Sequence, residues 1–163
     1  MRPMAVTHGR VKTQHDVENP RSGGMLMERL AQCHCGSLRA ITSGVPLSVA
    51  ICHCKACQRR TGALAASVAG FAKAQVTIEG YTKVFDRYGQ SRRKVRFYFC
   101  PNCGTSLYWE ADARPDAYIL AAGTFADPNF PPPSVSIFEE SKHTWMQLPD
   151  GMKHFQGVII AGS

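Results

Sequence analysis

The sequence has no apolar run long enough to cross a bilayer. Its longest, from Ala63 to Phe71, is interrupted by Ser67 and Gly70 and falls far short of the roughly 20 residues a spanning helix needs. Residues 1–24 contain no apolar block of the kind that forms the centre of a secretory leader, so none is expected. A serine-nucleophile elbow, a phosphate loop and a dinucleotide fingerprint are all missing, which sets aside the hydrolase, nucleotidase and nicotinamide classes they serve. There is no long basic extension, so nucleic acid is not the expected partner. An even cysteine count is missing too: seven cysteines in 163 residues do not form the paired framework of a small secreted domain. These absences leave a cytoplasmic, membrane-free protein as the expectation.

The length suits a single domain, and 44% hydrophobic against 19% charged residues is enough to build its core. Three segments are expected. Residues 1–24 form a polar, flexible arm with Pro3, Pro20 and the Gly23-Gly24 pair, and Met25 and Met27 are alternative starts. Residues 25–156 form the zinc-binding domain, and 157–163 a tail. The formal charge is +7. If all seven cysteines bind two zinc ions as thiolates, −7 and +4 are added and the working charge falls to +4.

The pattern along the domain is mainly β. Short aromatic and β-branched stretches predict strands at Ser37–Thr42, Leu47–Ile51, Leu64–Phe71, Val76–Ile78, Thr82–Phe85, Lys94–Phe99, Ser106–Trp109 and Tyr118–Ala122. A hairpin turn is expected at Tyr88-Gly89-Gln90. Only Lys55–Thr61 reads as helix, for about two turns. Residues 129–133 end in three prolines that lack amide donors, so no regular element is expected there. The class is a multi-stranded β fold of short strands, stabilised by zinc, with one short helix.

The cysteines fall into three clusters: Cys33-His34-Cys35-Gly36, Cys52-His53-Cys54-Lys55-Ala56-Cys57 and Cys100-Pro101-Asn102-Cys103-Gly104. A C-x-x-C step closes a tight turn that points two thiolates at one ion, and in an extended strand C-x-C places both side chains on one face. The same alternation turns His34 and His53 away from the metal. Seven thiolates divide into four and three. A filled four-ligand zinc is structural; a three-ligand zinc keeps one position open. Spacing leaves two partitions: the two-cysteine clusters together, or Cys54 and Cys57 with Cys100 and Cys103.

The stretch from Arg87 to Arg96 contains Arg87, Arg92, Arg93, Lys94 and Arg96, beside Tyr88, Phe97, Tyr98 and Phe99. Such a mixture suits single-stranded nucleic acid. On a hairpin the simpler expectation is aromatics toward a core and arginines toward water. Trp109 and Trp145 are expected in the core or in a pocket wall.

The C-x-C-G of Cys33 to Gly36, the C-H-C-x-x-C-Q-R-x-T-G of Cys52 to Gly62 and the F-C-x-x-C-G-T of Phe99 to Thr105 resemble the glutathione-dependent formaldehyde-activating enzyme family, which includes centromere protein V. The resemblance extends through Gly123-Thr124-Phe125 to a tail from Ile137 to Phe155. It implies a fold like the zinc-binding Rab-exchange-factor class and two zinc ions per chain. Cys33, Cys35, Cys100 and Cys103 would hold the structural zinc. Cys52, Cys54 and Cys57 would hold the second, at the active centre. The implied activity is condensation of formaldehyde with glutathione, named in reverse as a carbon–sulfur lyase. A thiol of pKa about 8.5 is mostly protonated at neutral pH, and binding at an open zinc position would ionise it. The zinc with three thiolates carries net −1, so cations nearby would help. Lys55, Arg59 and Arg60 follow the cluster and are the candidates to receive an anionic group of the thiol. The competing expectation is a zinc-stabilised binding module for nucleic acid or protein, without catalysis.

Overall fold

The computed structural model describes residues 27–158; the arm expected over residues 1–24, and residues 159–163 of the tail, lie outside the described residues. The strands are β1 (Glu28–Gln32), β2 (Arg39–Ser43), β3 (Ser48–Cys52), β4 (Ala66–Ala72), β5 (Val76–Glu79), β6 (Lys83–Tyr88), β7 (Lys94–Phe99), β8 (Ser106–Ala111), β9 (Arg114–Ala121), β10 (Val135–Ile137) and β11 (Lys153–His154), and the helix α1 spans Lys55–Thr61 between β3 and β4. Single turns of 3₁₀-helix at Lys73–Gln75, Ala122–Phe125 and Glu139–Ser141 complete the described elements.

The strands form two sheets. The smaller has the order β1-β2-β5, and the larger β11-β10-β3-β4-β9-β8-β7-β6. Most neighbours are antiparallel, and β1-β2, β6-β7, β7-β8 and β8-β9 are consecutive strands joined by short turns. The exception is β10, which runs parallel to both β3 and β11 after a long irregular crossover that contains Pro131, Pro132 and Pro133.

Register sorts side chains onto the two faces of the large sheet, because successive residues alternate sides. Val49 opposes Ala69, Ala69 opposes Leu120, and Phe71 opposes Tyr118. This row faces the small sheet and, with Ala31, Leu38, Ala40 and Phe125, makes the main core. Phe71 and Leu120 are fully buried there. The opposite row runs through Cys52 and Ala66, Val68 and Ala121, Ile119 and Trp109, then Phe97 and Phe85. Helix α1 lies on this second face, against β4.

Three local expectations need correction. The hairpin turn lies one to two residues later than expected: Gly89 donates to the Arg93 carbonyl, and Arg92 adopts a positive φ of 55°. On β6 the polarity is inverted. Phe85 and Tyr88 are exposed, whereas Arg87 is half-buried. The reason is that this end of the sheet borders a cavity, which Arg87 lines, rather than a closed core. Trp145 is neither core nor cavity wall; it is 68% exposed on the segment after the last 3₁₀ turn.

Candidate metal centres

Two turns build the four-thiol cluster. After β1, Gly36 donates to the Cys33 carbonyl and Cys33 donates to the Leu38 carbonyl, which brings the chain back into β2. After β7, Gly104 donates to the Cys100 carbonyl and Cys100 to the Thr105 carbonyl, which leads into β8. Both turns close on a glycine of positive φ, 76° at Gly36 and 73° at Gly104. The amide of His34 donates to the Thr105 hydroxyl at 3.1 Å and ties the two turns together.

The sulfurs of Cys33, Cys35, Cys100 and Cys103 all lie within 4.8 Å of one another. Cys33 to Cys35 and Cys35 to Cys100 are each 3.6 Å, and tetrahedral zinc with Zn–S near 2.3 Å sets its sulfurs about 3.8 Å apart. The Ser37 hydroxyl sits 3.0 Å from the Cys35 sulfur and 3.2 Å from that of Cys100. It draws the Cys100 thiol below the ordinary range. The Thr105 hydroxyl, with the amides of Thr105 and Cys35, holds Cys103 at about 5. Hydrogen bonds of this kind favour thiolates, the form that binds metal.

The three-thiol cluster is local. Cys52 ends β3, Cys54 caps α1 and Cys57 lies in the helix's first turn. The Cys57 amide donates to the Cys54 sulfur at 3.3 Å. The three sulfurs again lie within 4.8 Å of one another. Geometry therefore selects the first of the two partitions: the two-cysteine clusters together, and Cys52, Cys54 and Cys57 apart from them.

Within this trio, hydrogen bonds and burial drive the pKa values of the three thiols apart. Hydrogen bonds from Cys52 and Cys57, aided by the amides of Cys57 and Ala56, pull Cys54 down to about 2 against the effect of burial. Donating to Cys54 and Cys57, together with burial, pushes Cys52 far up. Cys57 is lowered by Cys52 but raised more by its hydrogen bond to Cys54, by burial and by the Cys54 charge; the Arg60 charge works the other way.

His53 projects to the opposite side from Cys52 and Cys54, as strand alternation requires. It is fully buried, with Nε2 3.2 Å from the Ser136 hydroxyl of β10, and burial pushes its pKa down. Gln58 donates from Nε2 to the His53 carbonyl at 2.7 Å and to the Ser141 carbonyl at 3.1 Å, which ties the cluster to the C-terminal segment. His34 is exposed at the four-thiol cluster. Neither histidine belongs to a metal-ligating group.

Beside the trio opens a cavity of about 480 Å³. Cys52, Cys54 and Cys57 form one wall, and Phe97, Trp109 and Phe138 an apolar one. Lys55 and Arg59, both exposed on α1, line the cavity from the helix, and Arg87 lines it from β6. Arg60 takes a different place. Its guanidinium lies 4.8 Å from the Phe97 ring centre and 4.5 Å from that of Trp109, behind the apolar wall. Alternation along β6 put Arg87 and Phe85 on the face of Phe97, a signal the composition of the hairpin obscured.

The donor sets fit zinc. Both are all-thiolate, their spread matches one ion each, and an otherwise uncompensated cation, Arg60, adjoins the trio. Among the described residues no helix is long and apolar enough to cross a membrane.

The family profile described as "Glutathione-dependent formaldehyde-activating enzyme" matches residues 28–141, a span that holds all seven cysteines and the wall residues Phe97, Trp109 and Phe138. No curated protein matches the chain. A crystal structure of a Rhodobacter sphaeroides protein is similar over 61% of this chain and 90% of that one, with 20% identity and a TM-score of 0.49.

Proposed function

The chain belongs to the glutathione-dependent formaldehyde-activating enzyme family, and from that premise we propose a zinc-dependent carbon–sulfur lyase-type enzyme that joins formaldehyde to a small thiol such as glutathione. One observation carries the reading: all three cysteines of the trio line the cavity that Lys55 and Arg59 also line. Cys33, Cys35, Cys100 and Cys103 serve as ligands of a structural zinc, and Cys52, Cys54 and Cys57 as ligands of a second. At the second site zinc would supply the positive charge that ionises an incoming thiol at neutral pH.

The protein's own groups do the rest. Lys55 and Arg59 draw the anionic end of the thiol to the helix, and the exposed position of both keeps that attraction sensitive to salt. Phe97, Trp109 and Phe138 keep water from the sulfur, so the aldehyde rather than solvent meets it. The sulfur electron pair forms the S–C bond, the carbonyl π pair moves to oxygen, and oxygen takes the proton the thiol released. Run backward, the same steps cleave the S–C bond. The domain is residues 25–156, and the setting is a reducing compartment such as the cytoplasm, where thiols stay free of disulfides.

The test is exchange of ¹³C-formaldehyde with S-hydroxymethylglutathione, followed by NMR, with zinc-loaded protein. Accelerated exchange, lost in Cys54→Ser, is expected. Exchange at the uncatalysed rate, together with salt-sensitive nucleic-acid binding, would replace this reading with the binding-module one.

A further inference from the structure

Arg60 poses a physical problem. Its Nε, Nη1 and Nη2 are all buried, and none has a hydrogen-bond partner among the described residues. An isolated guanidinium held out of water is costly, and two aromatic faces return only part of the loss. The two faces are those of Phe97 and Trp109, the same rings that wall the cavity beside the three thiols. On α1, Arg60 follows Cys57 by three residues, which places the two on neighbouring positions of one helix face. The charge Arg60 lacks as a hydrogen-bond partner is present one turn away, because a three-thiolate zinc carries −1 and gains another negative charge when a thiolate binds.

We propose that Arg60 is a positioning residue, the internal counter-charge that makes the three-thiol centre select an anionic sulfur ligand over neutral water. The role rests on the zinc reading above. Stacking on Phe97 and Trp109 keeps the guanidinium beside the cluster yet out of the cavity, so it offsets the charge of the bound thiolate without competing for the substrate's own carboxylates. Lys55 and Arg59, at the cavity surface, would act on those carboxylates instead.

Cobalt-substituted protein tests this through the thiolate-to-cobalt absorption that appears when glutathione is titrated in. Arg60→Met, which keeps length and apolar packing, should weaken glutathione about tenfold or more while leaving two metal ions per chain and an unchanged circular dichroism spectrum. Arg60→Lys, which keeps the charge, should stay within about threefold of the parent protein. Equal affinity in the parent and Arg60→Met would overturn the role of Arg60 alone. Loss of about tenfold or more in Arg60→Lys relative to the parent would overturn it as well, and that measurement stands even if Arg60→Met fails to fold. A parent protein with no thiol-induced absorption would remove the proposed function, and this role with it.

Discussion

The four-thiol cluster joins turns that lie far apart in the chain, with Cys35 and Cys100 separated by 65 positions, whereas the three-thiol cluster takes all its sulfurs from the six residues Cys52 to Cys57. A bond across a long loop removes much chain entropy from the unfolded state; one across a short loop removes little. The first cluster also sits against the main core, where Cys33 and Cys100 are fully buried beside Leu38 and Leu107. The second sits on the opposite face of the large sheet, beside a cavity. A metal in the first is suited to holding the fold. In the second it would add little to the fold, and the cavity beside it would leave room for a fourth ligand.

The largest effect that would test this contrast is Cys100→Ser. With one of its four ligands gone, the long-range centre should lose its metal, and several kcal/mol of folding free energy with it. The unfolding temperature should drop by about 10 °C or more, read by circular dichroism. Next comes Cys54→Ser. Metal content should fall from two ions to one, the unfolding temperature should move by no more than about 3 °C, and formaldehyde exchange should fall about 100-fold or more, since even residues that merely support metal ligands cost 10- to 100-fold. Unfolding as severe as that of Cys100→Ser would erase the distinction between the clusters.

Gly80→Ala sharpens the comparison. Gly80 has a φ of 96°, and a Cβ there would run into the backbone carbonyl of Ser37, the residue whose hydroxyl touches two sulfurs of the four-thiol centre. It should cost about 2 kcal/mol and loosen that metal against chelators, while the three-thiol metal is released as before.

The smallest effect belongs to a network that touches neither cluster. Glu110 accepts from Lys73 and from Tyr98, each at 2.6 Å. Burial raises its carboxyl, yet these two donors and the Lys73 charge outweigh that and leave it below its ordinary value of 4.5. A depressed carboxyl stabilises the fold above that ordinary value, and the gain is lost as pH falls through the lower folded value. Glu110→Gln should therefore be slightly less stable than the parent at pH 7, by urea titration, with the deficit shrinking as pH falls below the ordinary value of 4.5 and both metals retained.

Sequence pattern located α1 and β7 to the residue, because each carries strong signals: Cys54 and Gly62 cap the helix, and Val95 with the run Phe97-Tyr98-Phe99 marks the strand. It missed β1, where only Ala31 is buried on an edge strand, and it missed β10 and β11, which are three and two residues long. Such short strands exist only because β3 offers β10 an edge and β10 offers one to β11, a tertiary fact with no local trace. It began the last long strand at Tyr118, whereas β9 starts at Arg114 and includes Pro115; a residue without an amide donor is tolerated there because β8 and β9 slip register between Trp109 and Ala111. The two sulfur groupings were legible in cysteine spacing as possibilities, and geometry chose between them. The cavity was not, since its walls come from β6, β7, β8 and the segment after β10, and nothing in Arg87 or Phe138 alone marks them as neighbours of the thiols.

The parallel pairing of β10 with β3 sets an order of assembly on the ribosome. Every sulfur of both clusters has been made once residue 103 is added, so the long-range cluster has all its parts early. Yet Ile137, which pairs opposite Cys52, and Ser136, which holds His53, arrive only after a further stretch of chain has been translated. Through that interval the strand bearing the first thiol of the trio keeps a bare outer edge, and the three-thiol cluster gains its C-terminal neighbours only after all of its sulfurs have been made.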